Sequence, residues 1–332
     1  MKLFSRKVGW SLFALLLLLP IAGYLGAGFY IYSTLVESTS GCGRDCDNTP
    51  AQFEEHWSET DFPFDQYTVN YWESVRYAGG DEGIEIDGWW VPISETGPGD
   101  APVVMLVHGI RGSKNDPDML TVSGMLHQAG FNVLMFDLRD NGASSVEDGK
   151  ASIGIKEYRD VMASVDWLMQ EKGFNEHRIG LYGDSMGAGT AAMAFGMDPR
   201  IQSVVLENGY LHLPVLVREE LERSGYPGWL APAATWSARL FDGMDLNEIS
   251  PTIAFTNHRD RPIFAIHGTA DTRVLTHHTR DMVTLGAEQG ANVTAWFTEG
   301  AVHSGSKYMY PEEFKQRVAT FFSNSLGGTV TP

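Results

Sequence analysis

A serine flanked by glycines is the clearest candidate for chemistry in this 332-residue chain. Residues 183–187 read Gly-Asp-Ser-Met-Gly, after a mainly apolar run at 178–182 and before small residues at 188–195. This order predicts a strand, a sharp turn and a helix, the arrangement of a nucleophile elbow around Ser185. The glycines accommodate a strained serine backbone, and the helix N-terminus favours developing negative charge. A plain packing turn is the alternative, so other residues must support the prediction.

A serine hydroxyl needs a base to take its proton, and that base needs a carboxylate to hold its tautomer. His303 follows the last predicted strand, and Asp271 follows the strand before it. The order Ser185, Asp271, His303 is one in which such triads occur along a chain. Glu207, after the strand that follows the elbow, is an alternative acid. We predict Ser185 as nucleophile, His303 as base and Asp271 as the orienting acid.

The oxyanion that forms during acyl transfer needs two backbone N–H groups aimed at it. Met186, directly after the serine, supplies one of them. The loop at 108–112, His-Gly-Ile-Arg-Gly, lies after the third predicted strand, and we predict Ile110 as the second donor. His108 is expected to brace this loop rather than to act as a base, and His267 is expected to be structural.

The elements that must position these residues alternate between strands and helices. About eight strands are predicted, the first two antiparallel at one edge, at 67–72 and 84–91 around a glycine-rich turn. The others form a mostly parallel sheet flanked by helices. A helical insertion at about 208–260 follows the sixth strand and is predicted as a short cap; a pair of packing helices is the alternative.

The predicted cap supplies most of the candidate pocket residues. The candidates are Arg111, Leu213, Leu216, Trp229 and Trp236. Their mainly apolar side chains favour an apolar acyl or aryl group in the substrate.

The N-terminal region reads as a membrane segment. Residues 8–36 carry no charged side chain, whereas Lys2, Arg6 and Lys7 precede them and Glu37 follows. This length exceeds what a ~30 Å hydrocarbon core requires of a helix, and the charge distribution predicts a cytoplasmic N-terminus. A signal peptide cleaved near the small residues at 26–28 is an alternative. A lipoprotein-type cleavage at 40–42 is a remote third one.

The predicted domains are the anchor at 1–36, an extracytoplasmic stalk at 37–64 and the main domain at 65–326. The only cysteines, Cys42 and Cys46, fall in the stalk, where either a local disulfide or two free thiols are consistent with an exported chain. They have no histidines at ligand spacing, so we predict no metal site, and nothing indicates a cofactor. The formal net charge of −18 argues against nucleic acid as a partner. The oligomeric state stays open.

With its other motifs the chain resembles the α/β-hydrolase-fold serine hydrolases. The motifs are His-Gly at 108–109, Phe-Asp-Leu-Arg-Asp-Asn-Gly-Ala-Ser at 136–144, the elbow, His-Gly-Thr-Ala-Asp at 267–271 and His303, spread over about residues 65–325. The chain is most similar to bacterial membrane-anchored or secreted members of the serine-aminopeptidase and monoglyceride-lipase-like branch. The family usually has Arg-Gly where this chain has Arg139 and Asp140, so the conformation of that loop is open.

The resemblance implies hydrolysis of a small-molecule carboxylic ester through an acyl-enzyme. Peptide cleavage by an aminopeptidase-like or dipeptidyl-peptidase-like enzyme is the first alternative. It would need carboxylates for the substrate amine, which Glu219 and Glu220 could supply, although a charged, solvated helix face is also typical of such residues. A non-catalytic binding module is the second alternative, and it predicts a missing triad member.

Overall fold

The structure is a computed structural model that describes residues 2–38, 47–54 and 61–327. Cys42 and Cys46 lie outside the described residues, as does the stretch at 40–42. Predictions on those positions stay predictions.

An eight-stranded, mostly parallel sheet forms the centre of the fold. In space the strands follow the order β1-β2-β4-β3-β5-β6-β7-β8. β1 and β2, and β2 and β4, pair antiparallel, and the other neighbours pair parallel. The strands are β1 Glu73–Ala78, β2 Glu85–Val91, β3 Val103–Val107, β4 Asn132–Phe136, β5 Ile179–Asp184, β6 Ser203–Glu207, β7 Ile263–Gly268 and β8 Val293–Thr298. This topology confirms the fold predicted from the sequence.

The first strand begins later than predicted. The sequence pattern places it at residues 67–72, but β1 is Glu73–Ala78, and Phe64–Tyr67 forms a 3-10 helix instead. Tyr67 is buried, and its carbonyl oxygen lies where a Cβ on Gly124 would be. The alternating pattern at 67–72 thus reflects packing of Tyr67 against a helix, which competes with strand pairing.

Helices cover the sheet and fill the predicted insertion between β6 and β7. Four central strands, β3 to β6, are buried along their whole length, as expected of a parallel sheet covered on both faces. The helices are α1 Lys2–Leu35, α2 Pro117–Gln128, α3 Tyr158–Glu171, α4 Met186–Met197, α5 Leu213–Arg223, α6 Ala231–Asp242, α7 Ile253–Thr256, α8 His277–Gln289, α9 Ser306–Met309 and α10 Pro311–Leu326.

The chain divides into two compact units. The sheet unit comprises Glu37–His212 and Ile249–Pro332, and the helical unit comprises Met1–Val36 and Leu213–Glu248. The helical unit therefore joins α1 to α5 and α6, although they are far apart in sequence. The domain boundaries drawn from the sequence stay predictions.

In the helical unit, α1 packs directly on α6. A Cβ on Gly28 would lie 2.5 Å from the Ala233 carbonyl carbon, so the two backbones approach closely. Tyr24 stacks on Trp229 with ring centroids 5.8 Å apart. Residues Leu16–Leu35 of α1 are long and apolar enough to cross a membrane by length and composition.

Candidate active site

Ser185 occupies the turn between β5 and α4, as an elbow requires. Its φ of 57° and ψ of −118° are strained for a residue with a side chain. A Cβ on Gly187 would lie 2.1 Å from the Val107 carbonyl oxygen, and one on Gly183 would lie 2.3 Å from the Gly187 oxygen. Only glycine fits at either position, so the two glycines permit the tight turn that presents Ser185.

Three side chains from separate loops meet in one hydrogen-bonded row. His303 Nε2 lies 2.9 Å from Ser185 Oγ, and His303 Nδ1 lies 2.7 Å from Asp271 Oδ2. An ionised carboxylate only accepts hydrogen bonds, so Nδ1 carries the proton and Nε2 is left as the acceptor. In this tautomer His303 is able to take a proton from the serine hydroxyl.

The Asp271 carboxylate is held in its ionised form. Burial alone would raise its pKa, but hydrogen bonds from His267 and His303 and the charge of His303 lower the pKa well below its usual range. The backbone N–H groups of Arg273 and Val274 donate to its other oxygen, at 2.8 and 3.0 Å. His267 is buried between Thr279 and Val274, as a structural histidine would be.

Asn208 is a site residue that sequence reasoning missed. Its Nδ2 donates to Asp271 Oδ2 at 2.6 Å, so that oxygen accepts from both Asn208 and His303. Its backbone has a φ of 48°, a conformation that asparagine tolerates better than most residues. An asparagine directly after β6, the strand beside β7, is the signal that could have indicated this position.

Glu207, the alternative acid, is occupied elsewhere. It is fully buried, accepts a hydrogen bond from the Tyr182 hydroxyl and lies 3.1 Å from Lys307 Nζ. The carboxylate that bonds to His303 in this structure is that of Asp271.

A buried lysine ties down the loop that carries His303. Lys307 Nζ donates to the Ser304 carbonyl at 2.7 Å and to Asp118 at 3.1 Å. Ser304 Oγ donates in turn to Asp184 at 2.9 Å. Burial raises the pKa of Asp184 to about 7, against the opposing charge of Lys307. This polar network also escaped sequence reasoning, because its members are distant along the chain.

The role of Met186 and Ile110 as oxyanion donors stays a prediction. Met186 begins α4, and Ile110 lines the same cavity as Ser185. His108 accepts a hydrogen bond from the Leu138 N–H at Nε2, 3.0 Å away, and Nδ1 lies 2.8 Å from the Gly109 oxygen. Burial lowers the pKa of His108, so it stays neutral and braces the loop.

The cavity beside Ser185 is polar. It has a volume of about 200 Å³. Its lining residues are Gly109, Ile110, Asp116, Asp118, Met119, Asp184, Ser185, Arg273, His303 and Ser304. Three of these are aspartates, so the cavity combines the reacting serine with an acidic wall.

The five predicted pocket residues differ in burial and do not all lie in the same unit. Arg111, in the sheet unit, is exposed, and its Nε donates to the Glu37 carbonyl at 3.1 Å. Leu213 is buried and Leu216 half-buried in α5, whereas Trp229 and Trp236 are exposed in the helical unit. A role in substrate binding stays a prediction for all five: Arg111, Leu213, Leu216, Trp229 and Trp236.

The loop at 139–149 shows how Asp140 replaces the usual glycine. Asp140 has a φ of 64°, the left-handed conformation that glycine adopts most easily. Its Oδ1 accepts from the N–H groups of Glu147, Asp148 and Gly149 at 2.7 to 3.0 Å. These hydrogen bonds offset the backbone cost and order the loop.

Comparisons with known proteins identify the family and the fold. The model of the prolyl oligopeptidase family matches residues 119–329, more than half of the chain. An esterase of Pyrococcus furiosus superposes with a TM-score of 0.63 at 24% identity, covering 84% of this chain and 98% of the esterase. An acylaminoacyl peptidase of Pyrococcus horikoshii gives 0.58 at 19% identity, covering 80% of this chain and 43% of the peptidase. These structures show that the fold is the α/β-hydrolase fold.

The first curated relatives match a smaller share of this chain than these structures do. An uncharacterized 31.7 kDa protein of Escherichia coli is 28% identical over 130 residues, which are 39% of this chain and 45% of that protein. The chain spans about half the length of the first curated relatives that it matches.

Proposed function

We propose that this chain, which belongs to the prolyl oligopeptidase family, is a serine hydrolase that cleaves carboxylic esters through an acyl-enzyme. The observation that carries the proposal is the continuous row of hydrogen bonds from Ser185 through His303 to Asp271. It supplies a nucleophile, a base in the required tautomer and an ionised acid. A non-catalytic module would have no need of such a row beside a cavity.

The reaction proceeds in two balanced halves. Ser185 Oγ attacks the ester carbonyl carbon while His303 Nε2 takes the hydroxyl proton. The Met186 and Ile110 N–H groups stabilise the oxyanion, and His303 then returns the proton to the departing alcohol oxygen. Water then attacks the acyl-enzyme carbonyl carbon while His303 Nε2 takes its proton, and His303 returns that proton to Ser185 Oγ as the acid is released. Asp271 orients His303 and stabilises its imidazolium throughout.

The acidic wall of the cavity bears on the substrate. Asp116 and Asp118 disfavour a free carboxylate near the scissile bond, although Lys307 lies 3.1 Å from Asp118 and Arg273 lines the same cavity. Asp184, with its pKa raised to about 7, adds little negative charge below that pH. An uncharged acyl or aryl group fits the ester proposal. The Pyrococcus furiosus esterase is covered over almost its whole length, which also favours an ester.

The carboxylates that line the cavity also favour one alternative substrate. Carboxylates attract a protonated amine, so a peptide with a free N-terminus is the second candidate substrate. The likeness to an acylaminoacyl peptidase is consistent with peptide chemistry, although it covers 43% of that protein.

A covalent probe and a substrate panel test both points. A fluorophosphonate should label the intact protein and should not label Ser185→Ala; an unlabelled intact protein overturns the hydrolase proposal. We expect turnover of p-nitrophenyl acetate, butyrate and octanoate. Turnover confined to aminoacyl anilides would replace the ester with the peptide proposal.

We propose further that α1 is a retained anchor, with the N-terminus cytoplasmic and the sheet unit outside. The small residues of the alternative cleavage site end at Gly28, which packs on Ala233. The next turn is buried as well, with Ile31 and Tyr32 each 4% exposed, and the Tyr32 hydroxyl donates to Asp242 at 2.5 Å. Cleavage at 26–28 would cut the helix where it crosses α6.

Intact mass of the protein from the membrane fraction of producing bacteria tests this proposal. We expect residues 1–28 to be present. A soluble product that begins near residue 28 would show that the segment is a cleaved signal.

A further inference from the structure

In α6 the small residues are buried and the large apolar residues are exposed, which reverses the arrangement usual in helices of water-soluble proteins. Its buried residues are small: Ala231, Ala233, Ala234, Ser237 and Ala238. Large apolar side chains point outward instead, with Trp236 63%, Leu240 69% and Phe241 56% exposed. A helix on a water-soluble protein buries its large apolar residues. Small residues inside and large apolar residues outside are typical of helices that face lipid.

Trp229 extends this exposed face. It lies in the 3-10 helix Gly228–Leu230, which leads directly into α6, and is 66% exposed. Trp236 and Leu240 are four residues apart in α6 and therefore lie on one side of that helix. A wide cavity of about 510 Å³ is lined by both tryptophans together with Arg218, Thr235 and Asn247. Large apolar side chains thus face outward along α6 and the turn before it.

The face is continuous with the proposed membrane anchor. Tyr24 stacks on Trp229, the Tyr24 hydroxyl donates to the Trp229 carbonyl at 3.1 Å, and Phe29 packs edge-on against Phe241 with centroids 4.7 Å apart. The contacting part of α1 is itself exposed on its other side, where Tyr30 is 62% exposed. Both α1 and α6 therefore present apolar side chains outward.

Counted along α1 from Lys7, the residues that contact α6 lie near the outer boundary of a bilayer. Tyr24 lies 17 residues after Lys7, about 25 Å along a helix, and Tyr32 lies about 37 Å along it. With a hydrocarbon core of ~30 Å, the segment packed on α6 crosses from the core into the headgroups. Tryptophan and tyrosine are enriched at that level.

We propose that α6 and Trp229 form a second membrane contact, embedded beside α1 in the outer leaflet of a phospholipid bilayer. This inference rests on the proposed anchor. The charged side chains beside this face are paired: Arg239 lies 3.4 Å from Asp245, and Arg218, which lines the cavity with the tryptophans, lies 3.1 Å from Glu222. Long arginine side chains can reach water from the edge of a bilayer. Asp242 is bonded to Tyr32, at the end of the contact nearer the water.

Spin labels on the full-length protein test the proposal. The background carries Cys42→Ser and Cys46→Ser, and single cysteines are introduced as Trp236→Cys, Leu240→Cys, Leu18→Cys and Asp100→Cys. Asp100 is an exposed residue of the sheet unit, which the anchor proposal places in water, and serves as the control. The protein is reconstituted at one copy per nanodisc of phosphatidylcholine, so a second copy cannot cover the face.

The readout is collision of each label with oxygen relative to a water-soluble nickel chelate. We expect a several-fold higher oxygen-to-nickel ratio at 236 and 240 than at 100, with the highest ratio at 18. If 18 is protected while 236 and 240 match 100, α1 spans the bilayer and the proposal for α6 is wrong. If 18 also matches 100, the anchor itself is wrong and the inference fails with it.

Discussion

At the scale of single residues, Asp271 controls the tautomer of His303. Its Oδ1 accepts two backbone N–H groups, so an amide in Asp271→Asn must keep its oxygen there and direct its NH₂ towards His303. Nδ1 would then have to accept, and the proton would move to Nε2, where it blocks transfer from Ser185. We expect kcat/KM to fall by about 10⁴-fold, as for other serine triads. Unchanged ester turnover in this variant would contradict the assigned role.

Asn208 is expected to contribute to catalysis through Asp271. Asn208→Gly removes the side chain while keeping a residue suited to the positive φ. A hydrogen bond to a charged group is typically worth about 1.5–3 kcal/mol, so we expect kcat to fall by roughly 10- to 100-fold. Fluorophosphonate labelling rates of Asn208→Gly and Asn208→Asp, compared with the parent, provide the measurement. If both variants lose thermal stability but keep the labelling rate of the parent, Asn208 has a structural role only.

At the scale of elements, the elbow depends on close packing of α4 against the end of β3. Gly187→Ala would place a Cβ 2.1 Å from the Val107 carbonyl oxygen, which belongs to backbone and has little room to move. We expect a loss of several kcal/mol in the free energy of unfolding, of the order seen for overpacked cores or more.

Gly173→Ala is the matched control for this clash. Gly187 is helical and has no positive φ, whereas Gly173 has a φ of 74° and a Cβ added to it would have no neighbouring atom within 4 Å. Strain alone should cost about 1–2 kcal/mol there. Thermal unfolding of both variants should therefore separate clash from strain, and equal losses would contradict the packing argument.

The strands and helices around the site were largely predictable. The runs of β3 to β6 are mainly apolar, as expected of strands buried on both faces of a parallel sheet. The first strand was misplaced because Tyr67 packs on Gly124, a contact that no local pattern reveals.

At the scale of the whole molecule, stability should depend on pH through Asp184. Its pKa is raised from 3.8 to about 7, so between these values the folded chain holds a proton that the unfolded chain has released. The contribution of Asp184 to the free energy of unfolding is therefore greatest below about pH 4 and is lost as the pH rises through 7.

Asp184→Asn removes that titration while keeping an acceptor for Ser304. We expect the variant to gain stability relative to the parent between pH 5 and pH 8, by up to a few kcal/mol at about 1.4 kcal/mol for each unit of pKa shift. Asp100→Asn, at an exposed turn, is the control and should show no such trend. Thermal unfolding of the parent and both variants at pH 5 and pH 8 is the measurement. A stability difference between Asp184→Asn and the parent that is the same at both pH values would contradict the argument.

The sequence by itself determined the class of the fold, the chemistry expected of Ser185 and the partners to test, because strand periodicity and glycine-rich turns act over a few residues. Only the tertiary structure decided which carboxylate meets His303, that Asn208 shares Asp271, and that α1 packs on α6. These contacts join residues 32 to 205 positions apart, and tertiary packing, not local pattern, selects them. The serine between its two glycines was visible from the start, whereas the surroundings that activate it appear only when distant segments pack together.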